Sequence, residues 1–328
     1  MGKKNTDIAK KADTVTFATA VVVESDYVRF AAYRDDIDPD EVDESRMISY
    51  DPQGDDPWSQ DDVDTHVIAM CLWPNAKGKK RAYVAMSWEG QVEIVLQGAD
   101  FPSNETIQDA GLHGDWSKDY GYVMDIAAIG KTLFVCGDAG QIYKRLADDK
   151  WVHVDEGLLI EGSTNRCFMA IDGLSESAIY VVGVDGEIFH GDGKQWRKID
   201  IRTDEQLLCI RVFDEKDVVI GGSNGTLLVG NAADGFRDIS SVDDNMRISS
   251  VERFQGQLYA ASNLGLLVYD EERRSLRPVI TGLQPELQDA NVIQARDGFV
   301  WSIGFKDIAY FDGDVWKRVD YVSNPKIG

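Results

Sequence analysis

The sequence predicts an all-β fold, a single β-propeller of four-stranded antiparallel blades. Three observations predict it. Short apolar strands broken by glycine turns recur at a near-constant spacing. Long amphipathic helical patterns are absent, which argues against an α/β fold. The recurrence fills the 328-residue chain without leaving room for a second domain.

The clearest unit is Ile179-Tyr-Val-Val-Gly-Val-Asp-Gly186, followed by Glu-Ile-Phe-His-Gly-Asp-Gly-Lys-Gln-Trp196-Arg-Lys-Ile. It reads as strand, glycine turn, strand, Asp-Gly turn and a strand led by an aromatic residue. The pattern returns around Leu133–Gly140 with Trp151, Val218–Gly225 with Phe236, Leu258–Gly265 with Leu276, and Phe299–Gly304 with Trp316. Trp151 to Trp196 is 45 residues, and the steps Trp196 to Phe236, Phe236 to Leu276 and Leu276 to Trp316 are 40 each. The turn glycines keep time: Gly140 to Gly186 is 46, then 39 to Gly225 and 40 to Gly265. A further strand precedes each unit, beginning near Tyr122, Cys167, Leu207, Ile248 and Asn291. Four short strands in roughly 40–45 residues make a propeller blade. A two-sheet sandwich would not explain so regular a period.

The N-terminal third is more divergent. His66–Leu72 and Ala82–Leu96 suggest one blade, and Thr14–Val23, Tyr27–Tyr33 and Met47–Tyr50 another. The expected organisation is a basic tail at 1–13, blades at about 14–64, 65–120, 121–160, 161–203, 204–243, 244–284 and 285–322, and a short tail at 323–328. Seven blades become six if residues 14–64 do something else.

The unit Tyr-Val-Val-Gly-x-x-Gly-x-Ile, ending in Asp-Gly-x-x-Trp, resembles bacterial propellers of the photosystem-assembly-factor and Asp-box type. The resemblance covers roughly residues 120–320 and implies a fold rather than an activity. The chain has no Trp-Asp dipeptide of the WD40 kind and only one Gly-Gly pair, unlike kelch repeats. Asp192-Gly-Lys-Gln-Trp196 and Asp312-Gly-Asp-Val-Trp316 only approximate an Asp box, and read as turns whose aromatic packs between blades.

Hydrophobic residues make up 43% of the chain and charged residues 28%, the balance of a globular protein rather than a disordered one. Lys plus Arg number 34 against 57 Asp plus Glu, a formal charge of −23. Such a surface repels phosphate, which excludes a generic nucleic-acid or anionic-membrane binder. No apolar run is long enough for a transmembrane helix, and the N-terminus does not read as a secretory signal, so the expected location is cytoplasmic. Cys71, Cys136, Cys167 and Cys209 each sit in an apolar stretch and are expected as buried reduced thiols. His66, His113, His153 and His190 are scattered without zinc-ligand spacing. No cofactor motif is present.

Residues 24–64 carry 15 acidic side chains against Arg29, Arg34 and Arg46. This is the second signal in the sequence. The reading puts Arg34–Arg46 between the second and third strands of blade one, Asp51–Asp64 between blades one and two, and Gly98–Tyr120 between blades two and three. All three would then share one rim. The candidate partner-binding residues are Asp35, Asp36, Asp38, Asp40, Glu41, Asp43, Glu44, Asp55, Asp56, Asp61, Asp62 and Asp115, with Trp58, Trp116 and Tyr120 as aromatic anchors. Asp36-x-Asp38-x-Asp40 imitates the start of a calcium loop. It then fails, with Glu41 where glycine is needed and Met47 where a bidentate glutamate is needed, so no metal site is expected.

These features suggest a non-catalytic module that binds a basic protein, monomeric apart from that partner. A very acidic single domain without catalytic motifs is similar to immunity proteins that block cationic, nuclease-like toxins by imitating nucleic acid. Two alternatives remain: a scaffold or assembly factor for a basic partner, and a glycosidase or lyase in the central channel. For the enzyme, Asp125, Asp172, Asp214 and Glu252 lie on or beside innermost strands, and Arg166, Arg211, Arg253 and Arg296 near first strands. Neither group forms a matched set at one repeat position.

Overall fold

The computed structural model describes residues 14–39, 41–112, 120–160 and 166–327. Among them, seven four-stranded antiparallel sheets follow one another along the chain, each with its strands in sequence order. The fold is a seven-bladed β-propeller. Blade one contains β1 (Val15–Val22), β2 (Val28–Arg34), β3 (Ser45–Tyr50) and β4 (Trp58–Val63). The strands of the following blades lie within residues 67–106, 123–153, 168–198, 207–238, 248–278 and 292–318. No helix among the described residues is long and apolar enough to cross a membrane.

Two compact units can be described. The first holds blades one and seven with Glu252–Val268 and the chain from Arg277. Its core joins Phe17, Phe30, Ile48 and Trp58 of blade one to Trp301, Ile303 and Ile308 of blade seven, with Tyr321 beyond the last strand. The Trp301 indole donates to the Ser25 carbonyl at 2.8 Å. The second unit holds Ile68–Val251 and Tyr269–Leu276. Its cores repeat one scheme: inner-strand residues such as Ile171 and Ile210 meet middle-strand residues such as Val181 and Ile220. Trp196 leads a fourth strand, is half-buried against the cluster containing Phe168 and Phe189, and donates from Nε1 to the Val154 carbonyl at 2.8 Å. That places it between neighbouring blades, as its position in the repeat predicts.

Two turn glycines show why the repeat carries glycine where it does. Gly186 and Gly225 have φ of 62° and 72°, a region that disfavours side chains. A Cβ on either would come within 2.1 Å of the Thr203 carbonyl or 2.0 Å of the Ser241 carbonyl, on the chain leading to the next blade. The glycine therefore serves both the turn and the close approach of that connection.

Polar side chains on inner strands stitch successive blades. In the second unit Asp125 accepts from the Ile171 N–H at 2.9 Å, and Asp172 from the Val212 N–H at 2.8 Å. In the first unit Glu252 accepts from Ala295 at 3.1 Å, and Gln294 from Val22 at 2.8 Å.

Candidate protein-binding site

The β2–β3 connection carries the densest acidic run. Its first residue is tied down, because the Asp35 N–H donates to the Thr14 carbonyl at 2.9 Å. The Asp35 carboxylate accepts from Thr16 at 2.8 Å and pairs with Lys306. Arg34 forks onto Asp36 at 3.0 and 2.7 Å and reaches Glu44 at 3.3 Å. The Glu41 and Val42 N–H groups both donate to the Asp38 carbonyl at 3.1 Å, rounding the tip. Asp38, Glu41 and Asp43 are exposed, and Glu41 and Asp43 have no ion-pair partner among the described residues. Asp40 lies outside the described residues.

These contacts set the electrostatics. The hydrogen bond from Arg34 holds the Asp36 carboxyl below its ordinary value. Arg46 does the same for Asp62. For Asp35, burial raises the pKa but the hydrogen bonds from Lys306, Thr14 and Thr16 outweigh it, and the net shift is downward. Asp35, Asp36, Glu44 and Asp62 thus spend part of their charge inside the blade, whereas Glu41 and Asp43 present theirs to solvent.

The structure corrects the placement of the second acidic stretch. Residues 51–64 are not a connection between blades. Trp58–Val63 is β4, paired along its length with β3 from Tyr50↔Trp58 to Ser45↔Val63. Trp58 is only 8% exposed. Its ring lies 4.7 Å from Tyr50, 5.0 Å from Tyr321 and 6.1 Å from Phe30, so it is a core residue and not an exposed anchor. Asp61 and Asp62 are exposed along the strand, and Asp62 accepts from Arg46 at 2.7 and 2.9 Å. Asp56 caps the turn by accepting from the Trp58 N–H at 3.1 Å, and Asp55 is exposed beside it. The 35–44 and 51–57 turns therefore sit at opposite ends of β3, about 17–20 Å apart for a six-residue strand. The acidic residues of blade one do not share one rim. The reason is physical: four of the six β4 residues are polar and exposed, so the strand lacks the alternating apolar pattern that marks the others.

The third stretch is corrected in the same way. Ser103–Thr106 is the fourth strand of blade two, inside what the sequence suggests is one long connection. Tyr120 is 4% exposed, its ring 5.4 Å from His153 and its carbonyl accepting from Gln141 at 3.2 Å. It is a packing residue. Asp115 and Trp116 lie outside the described residues, as does His113.

Two residues that sequence reasoning passed over are exposed near the 35–44 connection: Phe305 in the turn after Gly304, and Val322 beyond the last strand. A signal was available for the first. The residues after the equivalent glycines Gly137, Gly183 and Gly222 are Asp138, Val184 and Ser223, so an aromatic stands only in this turn.

The channel carboxylates are occupied by backbone. Asp125 accepts from Ile126 and Ile171, and Asp172 from Gly173 and Val212, so all four oxygens have N–H donors. Burial pushes the Asp125 carboxyl up to about 7 against those hydrogen bonds, and raises Asp172 as well. Asp214 closes a turn by accepting from Lys216 and Asp217, and Arg166 is committed to Glu187 and the Leu158 carbonyl. A groove of about 640 Å³ in the first unit is lined by Tyr259, Phe311, Trp316 and one carboxylate, Asp314. The four cysteines are free thiols, and burial pushes Cys209 up to about 12. Among the described residues no group of three or more metal-ligating side chains occurs.

No protein-family model matches the chain. It is 33% identical over 202 residues to Immune protein Tsi7 of Pseudomonas aeruginosa PAO1, a match covering 61% of this chain and 65% of that protein. Among solved structures, the WD40 propeller domain of Doa1 superposes with a TM-score of 0.61 at 10% identity, over 89% of this chain and 94% of that one. YCF48 bound to D1 peptide gives 0.61 at 10% identity, over 89% and 90%. These structural likenesses agree with the propeller fold. The chain is a seven-bladed β-propeller, similar over three fifths of its length to a bacterial immune protein.

Proposed function

We propose that this chain is an immunity protein that binds and neutralises a toxin, and that the toxin is basic. The observation that carries the reading is the 33% identity with a protein named as an immune protein. The charge of −23 and the solvent-facing carboxylates of the 35–44 connection support a cationic partner. Electrostatic complementarity of this kind speeds encounter and sets orientation more than it adds affinity. Neutralisation would then follow from occupation of the toxin's own anion-binding surface. In this reading the chain acts by binding and not by catalysis, is monomeric until it meets its partner, and works in the cytoplasm of the cell that makes it.

The test is protection. Bacteria expressing the basic protein that this chain captures from its native lysate are expected to stop growing and to recover when the chain is co-expressed. The two proteins are expected to co-elute at low salt. Growth arrest unrelieved by equal or excess chain would contradict the reading.

A further inference from the structure

Three exposed segments meet at the start of β1. Arg34, opposite Val15 in the β1–β2 ladder, leads directly into Asp35 and the acidic connection. Lys306 donates to the Val15 carbonyl at 2.7 Å and pairs with Asp35. Asn324 takes both backbone groups of Val15, at 2.8 and 3.0 Å. One residue before Lys306 stands Phe305, 44% exposed, and two before Asn324 stands Val322, 73% exposed. The backbone of Phe305 is fixed, its carbonyl accepting from Phe17 at 2.9 Å and its N–H donating to Asp289, and the residues flanking Val322 are tied by the Asn324 N–H donating to the Tyr321 carbonyl at 3.1 Å. Two exposed apolar residues therefore flank the chain ends that converge on Val15, next to the start of the acidic connection at Asp35.

That combination differs from an acidic surface that only aids solubility. Interface affinity concentrates in a few apolar or aromatic residues, while surrounding charges govern encounter. Of the three aromatics the sequence suggests as anchors, Trp58 and Tyr120 are in the core, and Trp116 lies outside the described residues. We propose that Phe305 and Val322 are the apolar anchor points at which a cationic protein docks, with the exposed carboxylates Asp38, Glu41 and Asp43 as its charge complement. The proposal rests on the immunity reading and adds where the toxin sits. The partner's matching surface is an apolar pocket rimmed by lysine or arginine. An anionic polymer or membrane is disfavoured by the same carboxylates.

The two groups of residues should separate kinetically, since affinity differences within one interface fall mostly in the dissociation rate. The experiment measures binding of the full chain to the growth-arresting basic protein identified by the protection assay, at low and moderate salt. Phe305→Ala combined with Val322→Ala is expected to raise the dissociation rate by roughly tenfold or more, with little change in association rate. Val322→Asp alone gives a second variant at a position too exposed to threaten the fold. Val315→Ala, 48% exposed at the other end of the strand Ile308–Phe311, is expected to bind like the parent. Melting curves matching the parent's establish that each variant is folded. Dissociation unchanged in both the double variant and Val322→Asp overturns the docking proposal while parent binding preserves the immunity reading. No binding by the parent overturns both.

Discussion

Asn324 holds both backbone polar groups of Val15: the Val15 N–H donates to Oδ1 at 2.8 Å, and Nδ2 donates to the Val15 carbonyl at 3.0 Å. These residues are 309 positions apart, and both bonds are buried. One side chain thus does for the edge of β1 what a neighbouring strand would do. Asn324→Ala leaves the buried Val15 N–H unsatisfied, at about 1–3 kcal/mol, while the Val15 carbonyl keeps its bond from Lys306. A drop of several degrees in melting temperature is expected, and an unchanged one would mean that this contact does not hold the chain end in solution.

Glu105 and Arg145 give a sharper prediction. Glu105 is buried, accepts from Arg145 Nε at 2.9 Å and from the Trp151 indole at 3.1 Å, while Arg145 also stacks over Trp73 at 5.2 Å. Removing Glu105 leaves the Trp151 indole without its acceptor and Arg145 with only the exposed Asp148, a loss approaching that of a broken buried pair, about 3–5 kcal/mol. Glu105→Ala should therefore destabilise far more than Asp148→Ala, which removes only the exposed partner of the same arginine. Denaturant titration of the two variants measures the difference, and equal losses would contradict the packing described.

Trp196→Ala tests the repeat itself. The ring is half-buried between blades, so the loss should fall near the lower end of the range for aromatic-to-alanine changes, about 3 kcal/mol. Trp196→Phe keeps most of the packing and loses the bond to Val154, and should cost about 1 kcal/mol. Wild-type stability in the alanine variant would contradict the placement.

The pH dependence has a definite sign. The Asp125 carboxyl, raised by burial to about 7, binds a proton in the native state that the unfolded chain has released above about pH 4. Its favourable contribution is therefore full at low pH and lost as pH rises through about 7. Asp172, raised by burial too, acts in the same direction. Asp36 and Asp62, lowered by their arginines, act oppositely: their contribution is present at neutral pH and lost as pH falls below the ordinary carboxylate range. Melting temperature should fall as pH is raised from about 5 to 7 and level off above that, and Asp125→Asn should flatten the slope. A slope identical in parent and variant would assign the dependence to other groups.

The fold was legible because its determinants are local and repeated. Gly186 and Gly225 mark turns no other residue fits well, and Trp196 and Trp316 lead outer strands at constant spacing. Blade one was legible only in its apolar strands. β4 is an edge strand dressed in serine, glutamine and aspartate, a composition that discourages edge-to-edge pairing and also hides the strand. Reading it as a connection put Trp58 in solvent and the two acidic turns on one side. Phe305 was hidden for another reason: its exposure follows from the turn it occupies, and hydropathy alone reads a phenylalanine as core.

The most direct measurement is the association rate of the chain with the basic toxin proposed as its partner, as salt is raised, for the parent and for Asp38→Asn, Glu41→Gln and Asp43→Asn combined. The parent rate is expected to fall steeply with salt. The variant is expected to be slower by roughly threefold to tenfold at low salt, with the two curves converging as screening removes the difference. Superimposable rates for parent and variant at every salt concentration would contradict this expectation.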